Sequence, residues 1–211
     1  MAATKKKSSD TTGSAEATTV TIPASLKKQA AKKDETPVKL EELSSLDQQG
    51  HVKAIIETPR GSKNKYVYDP ESGLFECSQA LHGGMTFPFD FGFIPSTRAE
   101  DGDPLDIIIL MDEPAFPGCL VHARVIGVLE ASQAEPAGSK NMIRNDRLLG
   151  VHLRSVNYGA IEDWHELPKA ILDDFQTFLE LNNQCKGKEF HVHGWKSPKV
   201  AYQTLSRVTV K

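Results

Sequence analysis

Three aspartates lie close together in the middle of the chain, at Asp101, Asp103 and Asp106. Gly102 and Pro104 separate them and keep the backbone out of a helix, so the first two carboxylates project to one side of an extended or turning segment. Carboxylates held this close repel one another strongly unless a cation lies among them. Oxygen ligands of this kind prefer Mg²⁺ or Mn²⁺ to zinc. The segment therefore predicts a magnesium-type site.

A structural turn is the alternative explanation for this segment. Asp-Gly sequences often form turns in which the aspartate accepts hydrogen bonds from backbone N–H groups. Calcium is a further alternative, but the spacing does not match the EF-hand loop, which needs a glutamate at its twelfth position. The segment by itself leaves the turn and the magnesium site open.

The elements that must position these aspartates are short strands separated by Gly, Pro and Asp turns. The strand candidates are residues 51–58, 66–68, 73–75, 105–111, 120–129 and 189–195. This pattern favours a closed or nearly closed β-barrel. Apolar residues within 161–181 then recur at helical spacing, with Pro168 near the start of the helix, and a second helix is predicted near 198–208. The chain is therefore predicted to contain one α+β domain.

The first 45 residues differ in composition from the rest of the chain. They contain lysine clusters and many Thr, Ala and Ser residues, but no aromatic residue. Such a segment buries too little apolar surface to offset its ordering entropy, so residues 1–45 are predicted to be a disordered tail and residues 46–211 the folded domain. The tail either solubilises the protein or contacts a polyanion through its lysines.

The bulk composition narrows the function classes. A net charge of −3 gives no global attraction to nucleic acid or to an anionic membrane. The longest notable apolar run, 107–111, is far shorter than the ~20 residues that cross a bilayer. Cys77, Cys119 and Cys185 are odd in number and show no CxxC spacing, which indicates reduced thiols in a cytoplasmic protein.

Residues 92–106, which include the three aspartates, resemble the signature of family I soluble inorganic pyrophosphatases. The resemblance extends through 56–66, 69–75, 117–118, 127–129, 167–168, 186–188 and 194–195, and so covers the whole predicted domain. It implies a five-stranded OB-like β-barrel flanked by helices, with the site at the barrel opening. It also implies hydrolysis of pyrophosphate to two phosphates with several Mg²⁺ ions, and a closed homo-oligomer, commonly a hexamer among bacterial members.

The resemblance implies a role for each matching residue. Asp101 and Asp106 would be metal ligands, and Asp103 would orient or deprotonate the attacking water between two metals. Glu57 would contribute to an outer metal shell, and Lys65 would neutralise phosphate oxygens. These roles agree with the chemistry, because hydrolysis of a polyanion needs stabilised negative charge and an activated water.

Several positions depart from the family pattern. Val67 replaces a second glutamate, Gln79 replaces a phosphate-binding arginine, Phe87 and Phe91 replace two tyrosines, and Leu181-Asn182 replaces a Tyr-Lys pair. The loop 131–136, which normally supplies further aspartates, contains Gln133 and an apparent insertion. These changes predict a site with fewer carboxylates, in which metal binding is better supported than fast turnover.

The segment 144–147 resembles the family's Asp-x-Lys followed by an apolar strand, with Asn145 and Arg147 in the matching places. Asp146 lies one position over, so on an extended strand it should point to the opposite face. Arg147 and Arg144 are candidates to replace the missing phosphate-binding cations, because a guanidinium binds phosphate at least as well as an ammonium. Lys63 and Lys140 are further candidates.

The leading hypothesis is Mg²⁺-dependent hydrolysis of pyrophosphate. The alternatives are a weakened or retuned relative that acts on another phosphoanhydride or a phosphate ester, and a barrel kept only for binding or scaffolding. A nucleic-acid-binding OB domain is disfavoured, because that function needs a basic face with stacking aromatic residues. Retention of all three aspartates favours an enzyme, since a scaffold does not need a repulsive acidic cluster.

Overall fold

The structure, a computed structural model, describes residues 39–210. In this part of the chain there are nine strands and two α-helices. The strands are β1 (Val52–Thr58), β2 (Asn64–Asp69), β3 (Leu74–Ala80), β4 (Asp90–Phe93), β5 (Asp106–Leu110), β6 (Leu120–Ala134), β7 (Met142–Arg144), β8 (Arg147–His152) and β9 (Phe190–Lys196). The helices are α1 (Lys169–Cys185) and α2 (Pro198–Val208).

Five of the strands form a closed ring. Strand β1 pairs with β4, β4 with β5, β5 with β8, β8 with β6, and β6 pairs again with β1. Only the β5–β8 pair is parallel. The long strand β6 continues beyond the ring and pairs with β7 and β9, while β2 and β3 form a separate hairpin. The predicted five-stranded barrel flanked by helices is therefore confirmed.

After its first residue, strand β5 is entirely apolar because both of its faces are buried. Ile107 and Ile109 belong to one apolar cluster, which also includes Ala201 and Leu205 of α2. The intervening Ile108 belongs to a second cluster, together with Leu110 and with buried residues of α1. Alternation of side chains along a strand sends neighbours to opposite faces, so a strand between two clusters needs no polar positions. The strand therefore holds its first residue, Asp106, in a fixed place.

The helix predicted within 161–181 begins later and ends later in the structure, at Lys169 and Cys185. Before it, a short 3₁₀ turn forms a capping box, in which Asp163 accepts a hydrogen bond from the His165 N–H and Glu166 accepts one from the Asp163 N–H. Pro168 then occupies the N-cap position. None of the helices in residues 39–210 is long and apolar enough to cross a membrane.

Most of the predicted tail, residues 1–38, lies outside the described residues. Residues 39–45 are described and contact the barrel. Leu40 and Leu43 pack against a small buried cluster that contains Tyr68 and Phe93. The Ser96 hydroxyl donates a hydrogen bond to the Leu43 carbonyl at 2.9 Å. This segment therefore packs beside the loop that follows β4.

Candidate active site

All six residues predicted from the sequence line one pocket with a volume of about 940 Å³. They are Glu57, Lys65, Asp101, Asp103, Asp106 and Arg147. They come from four places in the chain: β1, the start of β2, the β4–β5 loop with the start of β5, and the start of β8. The pocket therefore depends on the complete barrel, because no single element carries more than part of it.

The loop that carries the aspartates is a hydrogen-bonded turn. The Ala99 N–H donates to the Asp103 carbonyl at 2.8 Å, and the Asp103 N–H donates to the Asp101 carboxylate at 3.2 Å. Gly102 has a φ of +91°, a conformation that side chains other than glycine's rarely allow. The two explanations of this segment, a structural turn and a functional site, are therefore compatible, because the same turn places Asp101 and Asp103 in the pocket.

The buried carboxyl groups of this pocket hold their protons more tightly than usual. Burial raises the pKa of Glu57 to about 7, against a hydrogen bond from the Tyr68 N–H at 2.9 Å that lowers it. Burial likewise raises the pKa of Asp106 to about 6, and the pKa of Asp101 is also raised by burial. The charges of neighbouring aspartates add to all three shifts. Such a group of carboxylates is stabilised when positive charge is brought to it.

The donor chemistry of the pocket fits Mg²⁺ or Mn²⁺, because the acidic side chains offer only oxygen atoms. Within residues 39–210, however, no three His, Cys, Asp or Glu side chains are arranged as a metal-binding group. Two of the aspartates already have partners within the protein. The Asn145 amide donates to the Asp101 carboxylate at 2.8 Å, and Arg147 lies 3.6 Å from the Asp106 carboxylate. A metal ion would therefore compete with these two side chains.

Asp146 points away from the pocket, as its position on the strand predicts. Its carboxylate accepts a hydrogen bond from the Ala131 N–H at 3.1 Å and pairs with Arg144 at 2.9 Å. Arg144 also pairs with Glu130 at 3.0 Å and does not line the pocket. The structure therefore does not bring Arg144 together with the other candidate phosphate-binding residues. The acidic partners on the other face of the sheet hold it there.

Three basic residues of the pocket were not identified as site residues from the sequence, and one of them is Arg98 in the loop before β5. Lys186 and Lys188 follow the end of α1 and line the pocket, whereas Lys63 and Lys140 do not. Lys188 pairs with Glu135. Burial lowers the pKa of Lys186 to about 8, and the nearby positive charges of Lys65, Lys188 and Arg147 add to that shift. The available signal was the motif 186–188, which was noted only as part of the resemblance.

The substituted positions divide into two groups. Val67, Phe87, Phe91, Gln133 and Asn182 line the pocket, together with Asn145. Gln79 and Leu181 do not. The two phenylalanines are almost fully buried in the cluster beneath α1 and bring no polar atom to the site. The departures from the family pattern therefore lower the number of charged and hydroxyl groups in the pocket itself.

The architecture is thus an OB-like barrel with a pocket that holds acidic and basic side chains together, as the resemblance to family I inorganic pyrophosphatases implies. Comparison with known proteins agrees. The family model described as inorganic pyrophosphatase matches residues 54–210. The inorganic pyrophosphatase of Thermus thermophilus is 37% identical over 157 residues, which cover 73% of this chain and 86% of that protein. That of Synechocystis is 35% identical over 147 residues, or 70% and 83% of the two chains.

Solved structures give the same result. The crystal structure of the inorganic pyrophosphatase from Thermus thermophilus superposes with a TM-score of 0.74 at 34% identity, covering 82% of this chain and 97% of that one. A structure of the corresponding protein from Coxiella burnetii gives a TM-score of 0.71 at 27% identity and covers 79% and 98%. The chain belongs to the inorganic pyrophosphatase family.

Proposed function

We propose that this protein hydrolyses inorganic pyrophosphate to two phosphates with the help of Mg²⁺. The observation that carries the proposal is that one pocket holds Glu57 and the three aspartates together with Lys65 and Arg147. The relatives named inorganic pyrophosphatase support the same activity. A pocket of about 940 Å³ has room for pyrophosphate together with hydrated cations.

Each side chain has a distinct role in the proposed reaction. Asp101 and Asp106 hold the divalent cations, with Glu57 in an outer position. Bound Mg²⁺ supplies an activated water and neutralises charge on the phosphate oxygens. Asp103 accepts the proton of the attacking water, because its carboxylate is exposed and makes no side-chain hydrogen bond within residues 39–210. Lys65 and Arg147 bind phosphate oxygens, which stabilises the charge that develops on the leaving phosphate.

The proposal also includes the cellular compartment and the oligomeric state of the protein. We place it in the cytoplasm, which is supported by three free thiols, at Cys77, Cys119 and Cys185. We also propose a homo-oligomer, a hexamer by resemblance. Exposed large apolar side chains such as Leu74 and Phe116 support an interface between copies. Light scattering on the purified protein would measure the number of copies.

The decisive experiment is phosphate release by the purified protein. Pyrophosphate is supplied with Mg²⁺, with Mn²⁺ or with a chelator, and tripolyphosphate, ATP and p-nitrophenyl phosphate are supplied in parallel with Mg²⁺. We expect release from pyrophosphate with Mg²⁺ that the chelator abolishes. No release above that of buffer contradicts the proposal, and faster release from another substrate supports the retuned alternative.

Lys186 gives the site a predicted pH dependence in phosphate binding. Because its pKa is lowered to about 8, the side chain loses its positive charge as the pH rises through that value. The affinity of the metal-free protein for phosphate should therefore fall between about pH 7 and pH 9. The change Lys186→Met should weaken binding at the lower pH and remove the part of this fall that lies above about pH 8, where Glu57, with a pKa of about 7, is already mostly ionised. Calorimetric titration with inorganic phosphate measures both effects.

The matched control for this prediction is Lys63→Met, which removes an exposed lysine outside the pocket. That variant should keep the affinity and the pH dependence of the unaltered protein. An equally steep fall with pH in the Lys186→Met protein would show that another group is responsible.

A further inference from the structure

The contact between Arg147 and Asp106 is built into the barrel. Strands β5 and β8 run parallel, and Asp106 and Arg147 are direct partners in their register. Residues paired in this way project their side chains to the same face of the sheet. The Nε atom of Arg147 accordingly lies 3.6 Å from an Asp106 carboxylate oxygen. The pairing of the two strands therefore brings these charges together, in contrast to an ion pair between mobile side chains at the surface.

The guanidinium group is held from other sides as well. One of its terminal nitrogens donates to the Asn145 carbonyl at 2.6 Å, and its central carbon, Cζ, lies 5.3 Å from the centre of the Phe190 ring. The Arg147 side chain is only 6% exposed, and its Nε atom has no hydrogen-bond partner among the described residues. The buried Nε atom therefore interacts with the Asp106 carboxylate through charge and not through a hydrogen bond.

Asp106 therefore has two competing positive partners in the proposed reaction. A divalent cation needs its carboxylate oxygens, but Arg147 already places a full positive charge beside them. At this separation the two positive charges repel each other in surroundings that screen them poorly. An anion in the pocket has the opposite effect, because the positive charge of the guanidinium group attracts it.

We propose that Arg147 is an internal competitor of the divalent cation at Asp106 and, by the same charge, a binding group for the phosphate anion. The proposal rests on the proposed function, since it concerns the same metal site. In the protein without substrate, the positive charge of Arg147 makes divalent cations bind more weakly than they would bind to the same carboxylates without it. Arg147 then contributes most when both metal and phosphate are present, because the negative charge of the anion offsets the repulsion between the two positive charges.

The test is the change Arg147→Met, with both ligands measured separately. Mn²⁺ binding to the substrate-free protein is followed by the loss of the free-ion signal in electron paramagnetic resonance. Inorganic phosphate binding to the metal-free protein is followed by calorimetry. We expect Mn²⁺ to bind about tenfold more tightly and phosphate about tenfold more weakly, because a charge this close shifts such equilibria by at least a factor of ten. General damage to the site would weaken both.

Matched variants complete the test. Arg144→Met removes an arginine of the same turn outside the pocket and should change neither affinity, while Arg147→Lys should stay nearer to the unaltered protein than Arg147→Met. Arg147→Gln, which keeps a donor for the Asn145 carbonyl, replaces Arg147→Met if that protein does not fold. Unchanged or weaker Mn²⁺ binding in the folded variant would overturn the proposal. Neither measurement depends on catalysis. The binding result can therefore be interpreted even if the protein has no pyrophosphatase activity.

Discussion

Replacement of Asp103 by asparagine should lower phosphate release from pyrophosphate roughly a thousandfold, because a carboxamide cannot accept the proton of the attacking water. The change is nearly isosteric, and the Asp103 side chain is exposed and unpaired within residues 39–210. The turn around it depends on backbone atoms of Asp103 and on the carboxylate of Asp101. The variant should therefore unfold at the same urea concentration as the unaltered protein while losing its activity.

Asp174→Asn is the matched control for this result. It makes the same chemical change at an exposed position of α1, outside the pocket. Steady-state phosphate release with saturating Mg²⁺ is measured for all three proteins, together with urea unfolding. A loss of less than about tenfold in Asp103→Asn, with the control unaffected, would show that another group accepts the proton.

Much of the fold was predictable because local chemistry and packing agree. Helix α2 begins at Pro198 and ends at Val208, as predicted, since proline is favoured in the first turn of a helix. The strand predicted at 105–111 is found at Asp106–Leu110 and is buried after its first residue. In both cases the residues carry the signal within their own segment, so no distant contact was needed to recognise them.

Other elements depend on partners that are distant in the sequence. Strand β4 contains only four residues, one of them a glycine, and it forms because β1 and β5 pair with it on both sides. Strand β6 was predicted to end at Leu129 but continues to Ala134, because β7 and β9 pair with its last residues. Periodicity cannot reveal such pairings, since they depend on the tertiary arrangement.

The candidate site, too, was predictable from the sequence only in part. The pattern around Asp101 and Asp106 indicated which acidic residues share a pocket, because the resemblance aligned distant segments with one another. It did not indicate that Lys186 joins them from the end of α1, or that Arg144 pairs with Glu130 instead. The positions of these two residues depend on which face of a strand, or which end of a helix, lies at the pocket in the folded protein.

Gly92→Ala is expected to have the largest effect on stability of any change considered, about 4 kcal/mol or more in the free energy of unfolding. Gly92 lies in the centre of the barrel ring, between Ile56 of β1 and Ile107 of β5. A methyl group at this position would lie 2.8 Å from the Ile55 carbonyl carbon and 2.9 Å from the Ile56 Cα, and closer still to the Ile55 carbonyl oxygen. All three are backbone atoms, so relief requires the two strands to separate. Equilibrium unfolding in urea measures the loss.

Gly83→Ala is the matched control, because a methyl group there would meet nothing within 4 Å and the residue is exposed. Its unfolding midpoint should stay within the range of ordinary surface changes, about 0.5 kcal/mol. The same β1–β4–β5 pairing joins the strand that carries Glu57 to the strand that begins at Asp106. Gly92→Ala should therefore also weaken Mn²⁺ binding in whatever fraction remains folded. A stable variant with unaltered Mn²⁺ affinity would mean that the two strands can separate at this point without disturbing the site.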